Sequence, residues 1–208
     1  MELNSVSISK IMMFWEWFSK ISKDFGSNLE NIDLLDELDE RVNELGDFSW
    51  EIGPGKIKEN LLVISPNGDP ELLQETKRIV NHAPPCDEWE FYYAKQPKEW
   101  ELKFEYNTED GKQIEIDASE WEYALLRYED GMFAIIIKAS YHLRSLSDDD
   151  QLMAAEIVLD GELGEEMRIQ SICEIDIVGA FDTSQESNAG EIRGIANRLK
   201  KLLKISES

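Results

Sequence analysis

Apolar positions recur along this chain with two periods, one helical and one alternating, and the switch between them marks its elements. Over residues 8–25 the spacing is helical. At 100° per residue, Phe14, Trp15, Trp17 and Phe18 cover an arc of about 160°, with Glu16 pointing away. Such an arc either packs into a core or, left exposed, anchors a partner, so Trp15 and Trp17 are candidate binding residues. A second helix is predicted over 28–45, where Leu35, Leu38, Val42 and Leu45 keep 3-4-3 spacing. Gly46 stands at its C-terminal cap, and Gly26 and Ser27 would turn the pair into a hairpin whose outer face is acidic and solvated.

Strands are predicted next over 48–52 and 60–65, separated by Gly53, Pro54 and Gly55. The run Leu61, Leu62, Val63, Ile64 is apolar throughout, which suits a central strand covered on both faces. Pro66, Asn67 and Gly68 turn the chain. Asp69 then reads as an N-cap, with Pro70 at the first position of a helix ending near His82. A strand over 89–94 completes a βαβ unit. After Pro97, Trp100, Leu102, Phe104 and Tyr106 alternate with Glu101, Lys103 and Glu105 as one long strand. Asp110-Gly111 leads into a strand over 113–116, and Asp130-Gly131 joins 121–128 to 132–139 as a hairpin. Ser147 caps a helix that Asp160-Gly161 ends; a strand over 167–178, a polar loop over 179–190 and a last helix over 191–205 follow. The expected class is α+β: a mostly antiparallel or mixed sheet with one βαβ unit, helices packed on it and an N-terminal helical pair. Residues 1–46 would form the helical segment and 47–208 the α+β domain.

Charge changes this picture more than any motif does. Asp and Glu number 44 against 21 Lys and Arg, a net of −23, yet 42% of the chain is hydrophobic, enough to bury a core. The field repels phosphate polymers and anionic membranes and attracts basic surfaces, so the expected partner is a basic protein, with neither nucleic acid nor membrane. Arg193, Arg198, Lys200, Lys201 and Lys204 make the last helix basic, and it would dock on the acidic body of its own domain. No apolar run approaches the roughly 18 residues of a membrane span. The start lacks the features of a secretory leader, so a cytoplasmic location is expected. Of the two cysteines, Cys86 and Cys173, the latter falls in an alternating pattern and is expected as a buried free thiol.

Candidate chemistry is sparse. Asp148, Asp149 and Asp150 point about 100° apart on a helix and complement its dipole without converging on an ion. Asp160, Glu162, Glu165 and Glu166 form the densest acidic cluster. A turn gathering two of the carboxylates, with Asp160, Glu162 and Glu165 the first candidates, would serve acid/base work or hold a divalent ion; the competing reading is an exposed turn of solvated acids. His82 and His142 belong to no spaced ligand set, so no metal is expected. The turn from Ser65 to Asp69 lacks the glycine and lysine pattern of a nucleotide loop and carries acids where an anion would sit, so no cofactor is expected.

Three stretches carry a resemblance: ISPNGDPEL at 64–72, Ala83-Pro84 running into Trp89-Glu90-Phe91 with Gln96-Pro97, and LDGELGE at 159–165. On these the chain resembles a family of uncharacterised bacterial proteins. The resemblance implies a compact α+β domain of the bacterial cytoplasm and carries over no active-site residue. High acidity without a catalytic constellation leads to a non-catalytic acidic protein-binding domain, one version being an immunity- or antitoxin-type inhibitor. The alternatives are a small-molecule enzyme using the carboxylate cluster, and a structural or oligomeric subunit joined through the aromatic face of the first helix.

Overall fold

The computed structural model describes residues 5–25 and 31–205, with the side chains of 204 and 205 excepted; the expected turn at Gly26 and Ser27 lies outside the described residues. The chain divides into two compact units, Met1–Lys95 and Gln96–Ser208.

In the first unit, helical spacing closes into α1 (Ile8–Ile21), whose N-cap Ser7 accepts the Lys10 N–H through its hydroxyl. Helix α2 (Ile32–Leu45) buries Leu38, Val42 and Leu45. Strands β1 (Ser49–Pro54), β2 (Asn60–Ser65) and β3 (Trp89–Tyr92) form a sheet in the order β1-β2-β3. The β1–β2 pairing is antiparallel and the β2–β3 pairing parallel, with α3 (Leu73–Val80) between the parallel strands as the expected βαβ unit. The apolar run on β2 is buried from Leu62 to Ile64. Phe14, Trp15 and Phe18 of α1 and Leu38 of α2 share one core with Leu62, Ile64 and Trp89 of the sheet. The helical pair therefore belongs with this sheet, and the division expected after Gly46 falls instead after Lys95. Helix α3 also starts later than Asp69. Asn67 and Gly68 take left-handed backbone, with φ of 54° and 77°, and the Asp69 carboxylate accepts the Glu71 N–H at 2.7 Å in a turn that precedes the helix.

The second unit begins with the hairpin of β4 (Lys103–Asn107) and β5 (Gln113–Asp117). Strands β6 (Glu122–Arg127), β7 (Phe133–Lys138), β8 (Ile172–Val178) and β9 (Ala189–Glu191) form a sheet in the order β8-β7-β6-β9, parallel only between β7 and β8. Gly111 and Gly131, with φ of 81° and 90°, supply the left-handed positions that the two Asp-Gly turns require. Helices α4 (Tyr141–Arg144), α5 (Asp148–Leu163) and α6 (Glu165–Ser171) precede β8. Helix α7 (Thr183–Glu186) and β9 occupy the segment expected as a polar loop, α7 being closed by a capping box between Asp182 and Gln185. A 3₁₀ turn, Ile192–Gly194, leads into α8 (Ile195–Ile205). The core joins Tyr123, Phe133 and Ile135 of the sheet to Val158 of α5 and Leu199 of α8.

Three local expectations change here. The strand expected from Trp100 starts at Lys103, because buried Leu102 takes a φ of 59° and breaks the extended run. Asp160-Gly161 does not end α5, which continues to Leu163 and stops at Gly164, with φ of 79°; α6 then delays β8 to Ile172. Cys173 is exposed. Ala134 pairs with Glu174 while Phe133 pairs with Ile172, so Cys173 is the extra residue of a bulge, and β8 lies at the edge of the sheet.

Candidate functional site

Asp160 lies one turn beyond Glu156 on α5, so both carboxylates face the same side, where α6 brings Arg168 back towards them. Arg168 Nε donates to Asp160 Oδ1 at 2.5 Å, and its Nη1 donates to Glu156 Oε1 at 3.0 Å. The centre of this group is dry: Asp160, Arg168 and Glu165 are 5%, 6% and 0% exposed. Burial works against the charged guanidinium, but the carboxylates of Asp160, Glu156 and Glu165 outweigh it and hold Arg168 protonated above its ordinary range.

Glu162 faces a different neighbour. Trp100 Nε1 donates to its Oε1 at 3.2 Å. Burial pushes the Glu162 carboxyl up, against smaller opposing effects of the Trp100 N–H and Arg193. Gly161 explains why this ring sits here. A Cβ at that position would lie 2.6 Å from Trp100 Cζ2, so only glycine lets the indole close on the helix. The Lys98 N–H then donates to the Gly161 carbonyl at 2.7 Å, satisfying an acceptor in the last turn of α5.

The three candidate catalytic residues thus part company: Asp160 joins Arg168, Glu165 is buried within reach of the same charge, and Glu162 joins Trp100. The exposed, solvated turn expected around them is a pair of helices with two of the acids buried. The Arg168–Asp160 pair, at 2.5 Å, links α6 to α5, and a carboxylate paired in this way is a poor proton acceptor.

Trp15 and Trp17, the candidate anchors, also separate. Trp15 is 2% exposed, its Nε1 donates to the Ile79 carbonyl at 2.7 Å, and its ring meets Phe91 edge-on at 4.8 Å. It is a core residue. Trp17 is half-buried, and the Arg41 guanidinium lies 5.5 Å over its ring. Arg41 in turn pairs with Glu37 at 3.3 Å and Glu44 at 3.7 Å.

Around this cation lies the acidic outer face of α2. Helix α2 carries Asp33, Asp36, Glu37, Asp39, Glu40 and Glu44 with Arg41 as its one basic residue, and all six but Glu37 are exposed. Asp36 and Glu40, and Glu40 and Glu44, are like charges at i, i+4, each pair costing about 0.2–0.5 kcal/mol. The available signal was the ratio of signs along one helix face.

His82 Nδ1 lies 2.7 Å from the Arg78 carbonyl, and His142 is exposed on α4. Asp150 departs from its two exposed neighbours: it is buried and accepts the Tyr106 hydroxyl at 2.8 Å, the Ser147 hydroxyl at 2.8 Å and the Glu109 N–H at 3.1 Å. Two cations of the basic end fold back onto their own unit, Arg193 donating to the Trp100 carbonyl at 2.9 Å and Arg198 to the Asn188 carbonyl at 2.8 Å. Among the described residues no group of three or more His, Cys, Asp or Glu could hold a metal ion, and no helix is long and apolar enough to cross a membrane.

No family model, curated protein or solved structure matches this chain, so the resemblance noted from three sequence stretches adds no residue to the site.

Proposed function

We propose that this chain is a non-catalytic acidic protein-binding domain of the bacterial cytoplasm whose partner is a basic protein. One concrete form is an immunity- or antitoxin-type inhibitor that covers the cationic, nucleic-acid-binding cleft of a toxin. The observation that carries this reading is the acidic ladder on α2: six carboxylates and one arginine in 14 residues, within a chain of net charge −23. The ladder weakens its own helix through like-charge contacts, and a cationic surface would relieve that repulsion while speeding encounter. The carboxylates that the enzyme alternative would use support the same preference, since Asp160 is tied to Arg168 and Glu162 to Trp100. The test is affinity capture from the native host at low and moderate salt. A basic protein retained at low salt and released as salt rises is the expected result; recovery of no basic protein at either salt refutes the reading.

A further inference from the structure

Met13, 63% exposed, stands on the side of α1 that borders α2, whereas the exposed Ile8 and Met12 lie round the helix from it, beyond Ser9 and Glu16. Beside Met13 a groove of about 450 Å³ opens between the two helices, lined by Lys10, Met13 and Phe14 from α1 and by Arg41, Glu44 and Leu45 from α2. Phe14 and Leu45 are buried and form its apolar base.

The two walls differ in charge. On the α1 side the Lys10 ammonium donates to the Glu44 carbonyl at 2.9 Å, which leaves its charge in place. On the α2 side Arg41 is neutralised by Glu37 and Glu44, and beyond it Asp33, Asp36 and Glu40 remain in excess. An apolar channel with one strongly anionic flank is complementary to a helix that carries an apolar stripe with cations along one edge. Methionine at the rim suits this, because its unbranched thioether adapts to whichever side chains enter.

We propose that the α1–α2 groove seats an amphipathic helix of the basic partner, its apolar stripe on Met13, Phe14 and Leu45 and its Lys or Arg side chains along the α2 flank. The proposal rests on the reading of this chain as an acidic protein-binding domain, and it fixes where and in which orientation the partner docks.

The probe is a synthetic helical peptide of about 18 residues with Leu at helical spacing and Lys on one edge, titrated into the full chain by fluorescence anisotropy at low salt. A control peptide has the same composition in scrambled order. The expected result is binding at least about tenfold tighter for the amphipathic peptide than for the scrambled one. Met13→Ser weakens it about tenfold, Glu40→Lys weakens it severalfold, and Lys10→Glu tightens it. All three positions are exposed, and unchanged far-UV circular dichroism confirms that each variant folds. Equal binding of both peptides, with Met13→Ser silent, overturns the groove while leaving the acidic-surface reading intact. No binding of either peptide overturns both. Sedimentation velocity provides the last arm: self-association that Met13→Ser abolishes makes a second copy of the chain the occupant and overturns the proposal.

Discussion

Replacing Arg168 with methionine isolates what the α5–α6 charge cluster does. The methionine keeps most of the apolar stem and removes the guanidinium, so Asp160, 5% exposed, loses its partner at 2.5 Å, and the half-buried Glu156 loses one at 3.0 Å. Two unit charges 4 Å apart attract by about 4 kcal/mol at an effective dielectric near 20, and breaking a buried pair from one side typically costs about 3–5 kcal/mol. Glu156 is nearer to solvent and adds a smaller share, so the expected loss for Arg168→Met is about 3–5 kcal/mol at neutral pH. Removing the Asp160 charge as well should recover part of this: Asp160→Asn with Arg168→Met relieves the closest stranded carboxylate but leaves Glu156 and buried Glu165 without the guanidinium. The assay is urea unfolding followed by tryptophan emission, in which Trp100 and Trp121 report on the unit that holds the cluster. A loss under about 1 kcal/mol for Arg168→Met, or a double variant no better than the single, would refute the claim that the Arg168–Asp160 pair ties α6 to α5.

Other expectations follow from neighbouring geometry. Burial and then the Asp150 carboxylate push the Tyr106 phenol up to about 12. The neutral phenol therefore lends stability that is full below its ordinary value of 10.0 and is lost as pH rises through about 12; Asp150→Asn should bring its ultraviolet titration back towards 10. Burial raises the Glu90 carboxyl, but the N–H groups of Lys56, Ile57 and Lys58, at 2.5, 3.1 and 3.3 Å, outweigh it and hold the carboxyl below its ordinary 4.5. Its contribution is present above 4.5 and lost as pH falls below it, so Glu90→Gln should cost about 1.5–3 kcal/mol at pH 7 and flatten the acid limb of the melting curve. Gly161→Ala gains helix propensity but drives a methyl to 2.6 Å from Trp100, so a net loss of about 1 kcal/mol is expected by calorimetry, reversed to a gain when Trp100→Leu makes room.

What was legible in the sequence was what local pattern decides. The α1 and α2 faces, the Ser147 cap, both Asp-Gly hairpins and the βαβ unit around α3 each follow from spacing, capping or turn residues a few positions apart. The failures share a different cause. Asp160 and Glu165 read as surface because acids usually are, and nothing local reveals that Arg168 will fold back on them from the next helix. Gly161 read as a stop because its role depends on Trp100, 61 positions earlier in the chain. Cys173 read as buried because alternation takes no account of a bulge. On α2 the signs of the side chains were visible, but their weight as a site emerges only once Arg41 is seen paired within its own helix and laid over Trp17.

The most direct test of the acidic-recognition account is the association rate of the captured partner measured by stopped flow across ionic strength. The account predicts a rate constant that falls by about tenfold or more between low and moderate salt, a dissociation rate that changes little, and a shallower salt dependence when Asp36 and Glu40 are both replaced by lysine. An association rate that is flat in salt, or untouched by those two reversals, would contradict it.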